Sequence, residues 1–519
     1  MRHRHDMPYG ATLRPDGAVR FRLWAPAAAR VDVILSTGGA KRELATRECG
    51  EGWHEAIVEI ADVGTRYGFR IDGGIVVPDP ASRFNPDDVH GLSALVNPLA
   101  FEWNEDGWRG RSWEQAVIYE AHVGTLTRGG TFDAAAERLD YLVDLGVTAL
   151  ELMPVADFPG SRNWGYDGVL PFAPDSSYGS PEALKRLVEA AHARGLMILL
   201  DVVYNHFGPD GNYLHLYAPQ FFDDRHMTPW GAAIDFDGEH SRNVRDFFIH
   251  NALFWLEEYR FDGLRLDAVH AIIDDSRPDI VSEIAAAVRA GPGRDRHVHL
   301  ILENDRNEAR YLVRDRANLP TLATAQWNDD IHHAAHVVAT GERDGYYADY
   351  VSKPVWYFGR CLAEGFGYQG ERSRHRRNTV RGEPSDQLPS TAFVSFLQTH
   401  DQIGNRAFGE RIAAIAEPRA LDAIAACILL APSPPLLFMG EEFAASAPFL
   451  FFCDFGAELA EAVSKGRREE FARFERFRDT NSREAIPDPN APETFARSKL
   501  DWAELDVGMH RAMLARYRQ

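Results

Sequence analysis

Cysteine is scarce in this chain, with four in 519 residues (Cys49, Cys361, Cys427 and Cys453) and none in a CxxC pair. Spacing this wide excludes a disulfide framework or a zinc ribbon and favours a reducing compartment. Long apolar runs are missing as well. No stretch reaches the roughly 18 apolar residues of a membrane span, and the basic opening Met1-Arg-His-Arg-His-Asp6 leads into no apolar secretory segment. A cytoplasmic protein with no membrane partner is therefore expected. Positive charge is also short: 56 lysines and arginines face 77 aspartates and glutamates, a net of −21. That balance argues against nucleic acid as a ligand and suits a neutral one. What the chain does hold, 45% hydrophobic and 26% charged residues, is ordinary globular material with ample core, and the length suggests two to four domains.

The hydrophobic pattern changes along the chain. Short alternating runs at 18–24, 31–35, 55–60 and 67–71, split by turn residues such as Ala25-Pro-Ala27, predict an all-β sandwich over residues 1–98, immunoglobulin-like and similar to a carbohydrate-binding module. Trp24 and Trp53 in it could meet sugar, but core packing suits them better. Over residues 99–519 strands alternate with helices. Buried-strand runs fall at 116–120, 147–152, 196–203, 263–267, 299–303, 322–327, 392–397 and 435–439. Helical periods lie between them, including 132–144 with Leu139, Leu142 and Val143 on one face, 181–194 and 241–259. Eight strand and helix repeats predict an α/β fold, a parallel (β/α)8 barrel of TIM type, with excursions at about 204–240 and 345–390 that shape a cleft.

Polar residues crowd the ends of these strands: Glu120 and His122, Asp201 with Asn205 and His206, Arg265 and Asp267, Glu303, Trp327 and Asn328, His400 and Asp401, Glu441 and Glu442. In Gly263-Leu-Arg-Leu-Asp267 strand alternation puts Arg265 and Asp267 on one face and the leucines on the other. Asp267, Glu303 and Asp401 end the fourth, fifth and seventh strands, so they can face one another across the barrel mouth. Two carboxyls about 5–5.5 Å apart could perform retaining glycoside hydrolysis, with Arg265 keeping Asp267 ionised. Three rim acids could equally hold a divalent metal.

Asp201-Val-Val-Tyr-Asn-His206, Gly263-Leu-Arg-Leu-Asp267, Glu303 after Leu-Ile-Leu, and Phe396-Leu-Gln-Thr-His-Asp401 resemble, in order, the four signature regions of the alpha-amylase superfamily. The resemblance implies that Asp267 is the nucleophile, Glu303 the general acid/base and Asp401 the transition-state stabiliser. It also implies that Arg265, His206 and His400 contact the −1 sugar, that Asp201 supports the rim, and that Tyr166 of Asn163-Trp-Gly-Tyr-Asp167 stacks under that sugar. Further segments (Asp267-Ala-Val-His-Ala-Ile272, Asp274-Asp-Ser276, Glu303-Asn-Asp-Arg-Asn307, Gln326-Trp-Asn-Asp-Asp-Ile-His-His333, His400-Asp-Gln-Ile-Gly-Asn-Arg406) are similar to the maltooligosyltrehalose trehalohydrolase family. Those enzymes hydrolyse the α-1,4 bond beside a terminal trehalose. By that likeness the substrate is lined by Arg265, Leu266, Ala268, Val269 and His270, by Asn328, Asp329, Asp330, Ile331, His332 and His333, and by His400, Gln402, Ile403, Gly404 and Asn405. The implied partners are maltooligosyltrehalose and related α-glucans, with a maltooligosyltrehalose synthase upstream, and no metal or cofactor is implied. Members usually continue past the eighth helix into a small C-terminal β domain, and this sequence stops at Gln519, so that domain is expected to be absent.

Other features have plainer readings. Gly365-Phe-Gly-Tyr-Gln-Gly370 fits G-x-G-x-x-G, yet no strand precedes it, so a dinucleotide site is not expected. The arginines of residues 372–381 suggest a solvated loop, and His332, His333 and His336 suit helix or sugar contacts better than zinc. Asn205 resembles a calcium-contacting position in some amylases, without an acidic cage beside it. Trp164, Trp230, Trp327 and Trp356 are candidate stacking platforms. A branching or debranching enzyme on the same scaffold, or a non-catalytic glucan-binding protein, are the alternatives to a trehalose-releasing hydrolase.

Overall fold

Alternation of apolar and polar residues in Val19-Arg-Phe-Arg-Leu-Trp24 turns Phe21 and Leu23 inward, both fully buried, while Arg20 and Arg22 face the rim. The computed structural model describes residues 1–519 apart from 60–61, 105–106, 229–230, 473 and 478. The expected strand end at Ile60 and the candidate platform Trp230 lie outside the described residues.

The N-terminal strands are β1 Gly10–Leu13, β2 Val19–Trp24, β3 Val31–Thr37, β4 Ala40–Ala45, β5 Arg47–Glu48, β6 Trp53–Val58, β7 Arg66–Ile71, β8 Val76–Val77 and β9 Ser93–Ala94. They form two antiparallel sheets, in orders β1-β2-β6-β5 and β4-β3-β7-β8, with β9 paired to β7. Val33, Phe69 and Tyr67 of one sheet and Val19 and Phe21 of the other share one core. Trp24 and Trp53 are buried, at 3% and 8% exposure, so neither offers a sugar platform.

Eight parallel strands then close a barrel: β10 Ile118–Ala121, β11 Ala149–Leu152, β12 Met197–Val202, β13 Gly263–Leu266, β14 His299–Leu302, β15 Ala325–Trp327, β16 Phe393–Phe396 and β17 Pro435–Phe438. Buried on both faces, they are nearly continuous apolar runs, as parallel strands require. The expected helix over 132–144 divides at Arg138 into α1 (Phe132–Ala136) and α2 (Leu139–Leu145). Leu139 and Leu142 are buried there as expected, but Val143 is 41% exposed and Leu145 takes its place on the buried face. Beyond lie α3 (Pro181–Ala193), α4 (Ser241–Glu257), α5 (Ile280–Ala290), α6 (Asp329–Thr340) and α7 (Pro354–Glu364). Ser180 and Asp279 cap α3 and α5 by accepting from the N–H of Ala183 and Ser282.

The sandwich rests on α4. Buried Arg83 bonds buried Glu258 at 3.0 Å, His5 bonds Glu257 at 2.7 Å and His250 at 2.9 Å, and the Tyr9 hydroxyl donates to the Asn243 carbonyl at 2.8 Å. Among the described residues no helix is long and apolar enough to cross a membrane.

Candidate active site

Register decides where the charges of β13 go. Arg265 pairs across the ladder with Asp201 of β12, while Leu264 and Leu266 are buried in the core. The guanidinium, itself 1% exposed, lies inside the barrel mouth. Its Nη1 donates to Asp201 at 2.7 and 2.9 Å and to Asp267 Oδ1 at 2.7 Å, and its Nη2 to Glu303 Oε2 at 2.9 Å. Trp327 lies 4.2 Å beneath it. Arg265 thus spans Asp267, as expected of the cation beside the nucleophile, and Glu303 as well.

Directly after the strand the chain turns sharply. Ala268 sits at φ +41°, a left-handed conformation that costs a residue with a Cβ, and the turn points its N–H at Glu303 Oε2, 2.8 Å away. Val269 N–H then donates to the Glu303 carbonyl at 2.9 Å. The strained turn fixes the distance between the two strand ends that carry the acids.

Charge in the mouth is unevenly compensated. Burial raises the Asp267 carboxyl well above the ordinary range, with Glu303 and Asp201 adding to the effect and Arg265 opposing it. Burial pushes Glu303 up as well, but Arg265, His270 and the Ala268 N–H outweigh it and hold Glu303 low. Two carboxyls this strongly linked titrate as a pair rather than independently. Burial also raises Asp401 and Asp329, and repulsion from Glu303 assists in both. Asp401 Oδ1 accepts from Asn405 Nδ2 at 2.6 Å.

A chain of hydrogen bonds supports the other side. His400 Nδ1 bonds Glu120, its Nε2 meets the Tyr166 hydroxyl at 2.8 Å, and that hydroxyl donates to Asp201 Oδ2 at 2.6 Å. Burial alone would lower the His400 value. Glu120 more than reverses this and holds His400 above its ordinary value. Tyr166 lies nearly parallel to the His400 ring, 5.1 Å between centroids. His206, by contrast, is pushed down to about 4 by burial and meets the Tyr166 carbonyl through Nε2 at 3.0 Å.

These groups line a cleft of about 540 Å³. Of the residues expected to touch substrate, Arg265, Ala268, His270, His206, Tyr166, Asp329, His333, His400, Gln402 and Asn405 border it together with Asp267, Glu303 and Asp401. The rest of that expectation needs correction. Asp201 is 3% exposed and wholly engaged by Tyr166 and Arg265. Leu266, Val269, Ile331 and Ile403 point into apolar core. Asn328 donates to the Gly365 carbonyl at 2.8 Å, and His332 bonds the Leu397 carbonyl and the Tyr347 hydroxyl. Gly404 underlies Trp164 so closely that a Cβ there would stand 1.9 Å from the ring. Asp330 is fully buried and receives Arg381 Nη1 (2.5 Å), Asn307, the N–H groups of Gly367 and Tyr368, and the Tyr350 hydroxyl. Strand alternation turns Leu266 into the core, while Asp330, Ile331 and His332 lie on the buried face of α6, and Ile403 and Gly404 lie on the short helix His400–Gly404.

The cleft also contains residues that the sequence did not mark as substrate contacts. Asp305, Tyr346, His375, Arg376 and Arg381 form one wall, with Arg376 paired to Asp305, and Phe451 joins Trp164 on the other. Apart from Asp305 and Phe451 they come from the 345–390 excursion. Its arginine run is therefore not simply a solvated loop, since Glu371–Ser373 and Thr379–Arg381 pair as a hairpin and deliver Arg381 to Asp330. Clustered cations in a cleft-shaping insertion of an acidic chain were the signal available. Trp327 is held under Arg265 and does not face sugar, whereas Trp356 is 52% exposed.

The rival chemistries fare poorly here. Arg265 occupies the position between Asp267 and Glu303 that a shared metal would need. Among the described residues one acidic trio, Asp223, Asp235 and Asp237, has oxygens within 4.8 Å of one another, and Arg225 already bridges Asp223 and Asp237. The glycine-rich segment 365–370 wraps the Asp330 carboxylate, which supplies the negative charge a bound phosphate would bring.

Two family models match the chain: carbohydrate-binding module 48 (isoamylase N-terminal domain) over residues 8–81, and the alpha-amylase catalytic domain over 82–251. The malto-oligosyltrehalose trehalohydrolase of Deinococcus radiodurans is 43% identical over 98% of this chain and 81% of its own length, and that of Saccharolobus solfataricus 41% identical over 96% and 84%. A crystal structure described as a putative alpha amylase from Salmonella typhimurium superimposes with a TM-score of 0.93 at 47% identity, covering 98% of this chain and 85% of that one. A pullulanase from Anoxybacillus, 18% identical with a TM-score of 0.69, shares the fold. Relatives aligned from the first strands of the sandwich through the closed barrel, together with the acids at its mouth, settle the kinship: the chain belongs to the malto-oligosyltrehalose trehalohydrolase family.

Proposed function

We propose that this protein hydrolyses, with retention, the α-1,4 bond next to the terminal trehalose of maltooligosyltrehalose, releasing trehalose and a maltooligosaccharide. The observation that carries the reading is the sharing of Arg265 between Asp267 and Glu303, in a family whose curated members bear the trehalohydrolase name. Asp267 attacks the anomeric carbon, Glu303 protonates the departing trehalose oxygen and then deprotonates water, and Asp401 stabilises the oxocarbenium-like transition state. For these roles Glu303 carries the proton when sugar is bound, and positive charge growing on the ring beside Asp267 favours the anion there. His400, Tyr166 and His206 hold the −1 sugar, and the remaining cleft-lining residues hold the flanking ones.

The supply chemistry follows from the substrate: an upstream maltooligosyltrehalose synthase must build the trehalose end of the glucan. Four unpaired cysteines agree with work in the cytoplasm. Incubation with maltooligosyltrehalose, maltooligosaccharide and branched glucan tests the assignment by product identity. Free trehalose from the first is expected; new α-1,6 branches or debranching would overturn it. Asp267→Ala and Glu303→Gln should each lower turnover by roughly 10³-fold or more with melting temperature nearly unchanged, as removal of a covalent or proton-transfer group does. Near-native rates in either variant would reverse the roles.

A further inference from the structure

A second cleft, about 630 Å³, opens at the opposite end of the barrel from the acids. It lies beside the residues that lead into three strands: His299 opens β14, Thr324 precedes β15 and Thr391 precedes β16. Its floor is apolar, made by Trp113, Val288, Leu300 and Leu322, with Trp113 fixed by its Nε1 donating to the Thr391 carbonyl at 2.8 Å. Its walls are cationic, in a chain whose net charge is −21. Arg109, Arg289, Arg294 and Arg314 line it, and none of the four forms an ion pair with a described residue.

Arg314 spends its donors on backbone alone, the carbonyls of Leu312 (2.6 Å), Ala323 (3.3 Å) and Thr324 (2.6 Å). Arg289 gives one bond to the Pro320 carbonyl at 2.8 Å. Burial lowers both guanidinium values, that of Arg314 to about 10 with Glu114 only partly offsetting it, as happens when a cation is desolvated without a carboxylate in contact. Lining acids are limited to Glu114 and Asp295, both exposed. Guanidinium charges without a carboxylate in contact, gathered around one cavity, suit an anion, with Arg314 adding charge more than free donors; the volume and apolar floor leave room for an organic body.

We propose that this cleft binds a small organic phosphate monoester, its phosphate held by Arg289 with Arg314 as supporting charge and its body over Trp113 and Leu322. The site is independent of the hydrolytic one. Isothermal titration calorimetry at low salt, with glucose 6-phosphate, adenosine monophosphate and inorganic phosphate as probes, tests it on the full chain. Saturable binding of either organic probe is expected, and the better of the two identifies whether a sugar or a nucleoside body fits. Arg289→Gln, and separately Asn318→Asp, which places a carboxylate at the exposed rim, should each weaken that binding about tenfold or more, the loss of one charged hydrogen bond or its equivalent. Arg376→Gln in the catalytic cleft should leave it unchanged. No saturable binding by either organic probe would overturn the proposal. So would equal affinity for inorganic phosphate, binding undiminished in both cleft variants, or binding abolished by Arg376→Gln.

Discussion

Glu120 never meets the cleft, yet it sets the charge of a residue that does. Burial would leave His400 neutral, and Glu120 holds its value above the ordinary 6.5. A folded value above the unfolded one contributes stability that is fully present below about 6.5 and is lost as pH rises through the folded value. Glu120→Gln should therefore lower the melting temperature more at about pH 5.5 than at about pH 9. Scanning calorimetry at the two pH values checks this, and an equal loss at both would show that His400 is not the titrating partner. At this scale much was legible in the sequence. Alternation alone put Arg265 and Asp267 on one face, and Glu303 and Asp401 stood at strand ends. What stayed hidden was the number of partners of Arg265, because Asp201 and Glu303 reach it from neighbouring strands whose register no single sequence fixes. The strain at Ala268 was hidden too, since alanine carries no mark of a left-handed turn.

Among the elements, the excursion between α6 and β16 matters most, since it supplies a wall of the cleft from loops instead of strands. The buried carboxylate of Asp330 is one of its anchors, beside the Arg376–Asp305 pair and the Asn328 bond to the Gly365 carbonyl. Although burial pushes Asp330 up, Arg381 and its other donors keep it below the ordinary range. Asp330→Ala would leave Arg381, which is 5% exposed, with the Asp305 carbonyl and Tyr350 hydroxyl but without its buried counter-ion, at a cost of roughly 3–5 kcal/mol. Hydrogen exchange should then quicken across residues 345–382 while the barrel strands stay protected; uniform quickening would mean that the fold as a whole depends on Asp330. The sequence marked 345–390 as an insertion that shapes the cleft. It could not say which arginine faces solvent and which turns inward, because the hairpin register, with Glu371 opposite Arg381 and Ser373 opposite Thr379, decides that.

For the whole molecule, sandwich and barrel are joined by buried charge as well as apolar packing. Arg83 of the N-terminal region and Glu258 after α4 are both nearly inaccessible, and Lys185 lies 3.9 Å from the same carboxylate. Glu258→Ala should cost roughly 3–5 kcal/mol and lower the melting temperature, with an early calorimetric transition if the sandwich detaches first. A melting temperature within error of wild type would place the junction's strength in its apolar contacts. Both architectures were foreseeable, the period of two giving way to eight strand and helix repeats. Their mode of attachment was not, because its partners lie far apart in the chain, as Arg83 and Glu258 do.

One further consequence concerns small molecules. Arg265 is a single cation among Asp201, Asp267 and Glu303, with Asp401 and Asp329 close by. Several carboxyls thus gather around one guanidinium, and on the proposed function they surround the ring of the bound sugar. A glucose mimic with a protonated nitrogen in that ring would find there the counter-charge that a neutral sugar meets only fleetingly. It should act as a competitive inhibitor whose grip loosens with added salt.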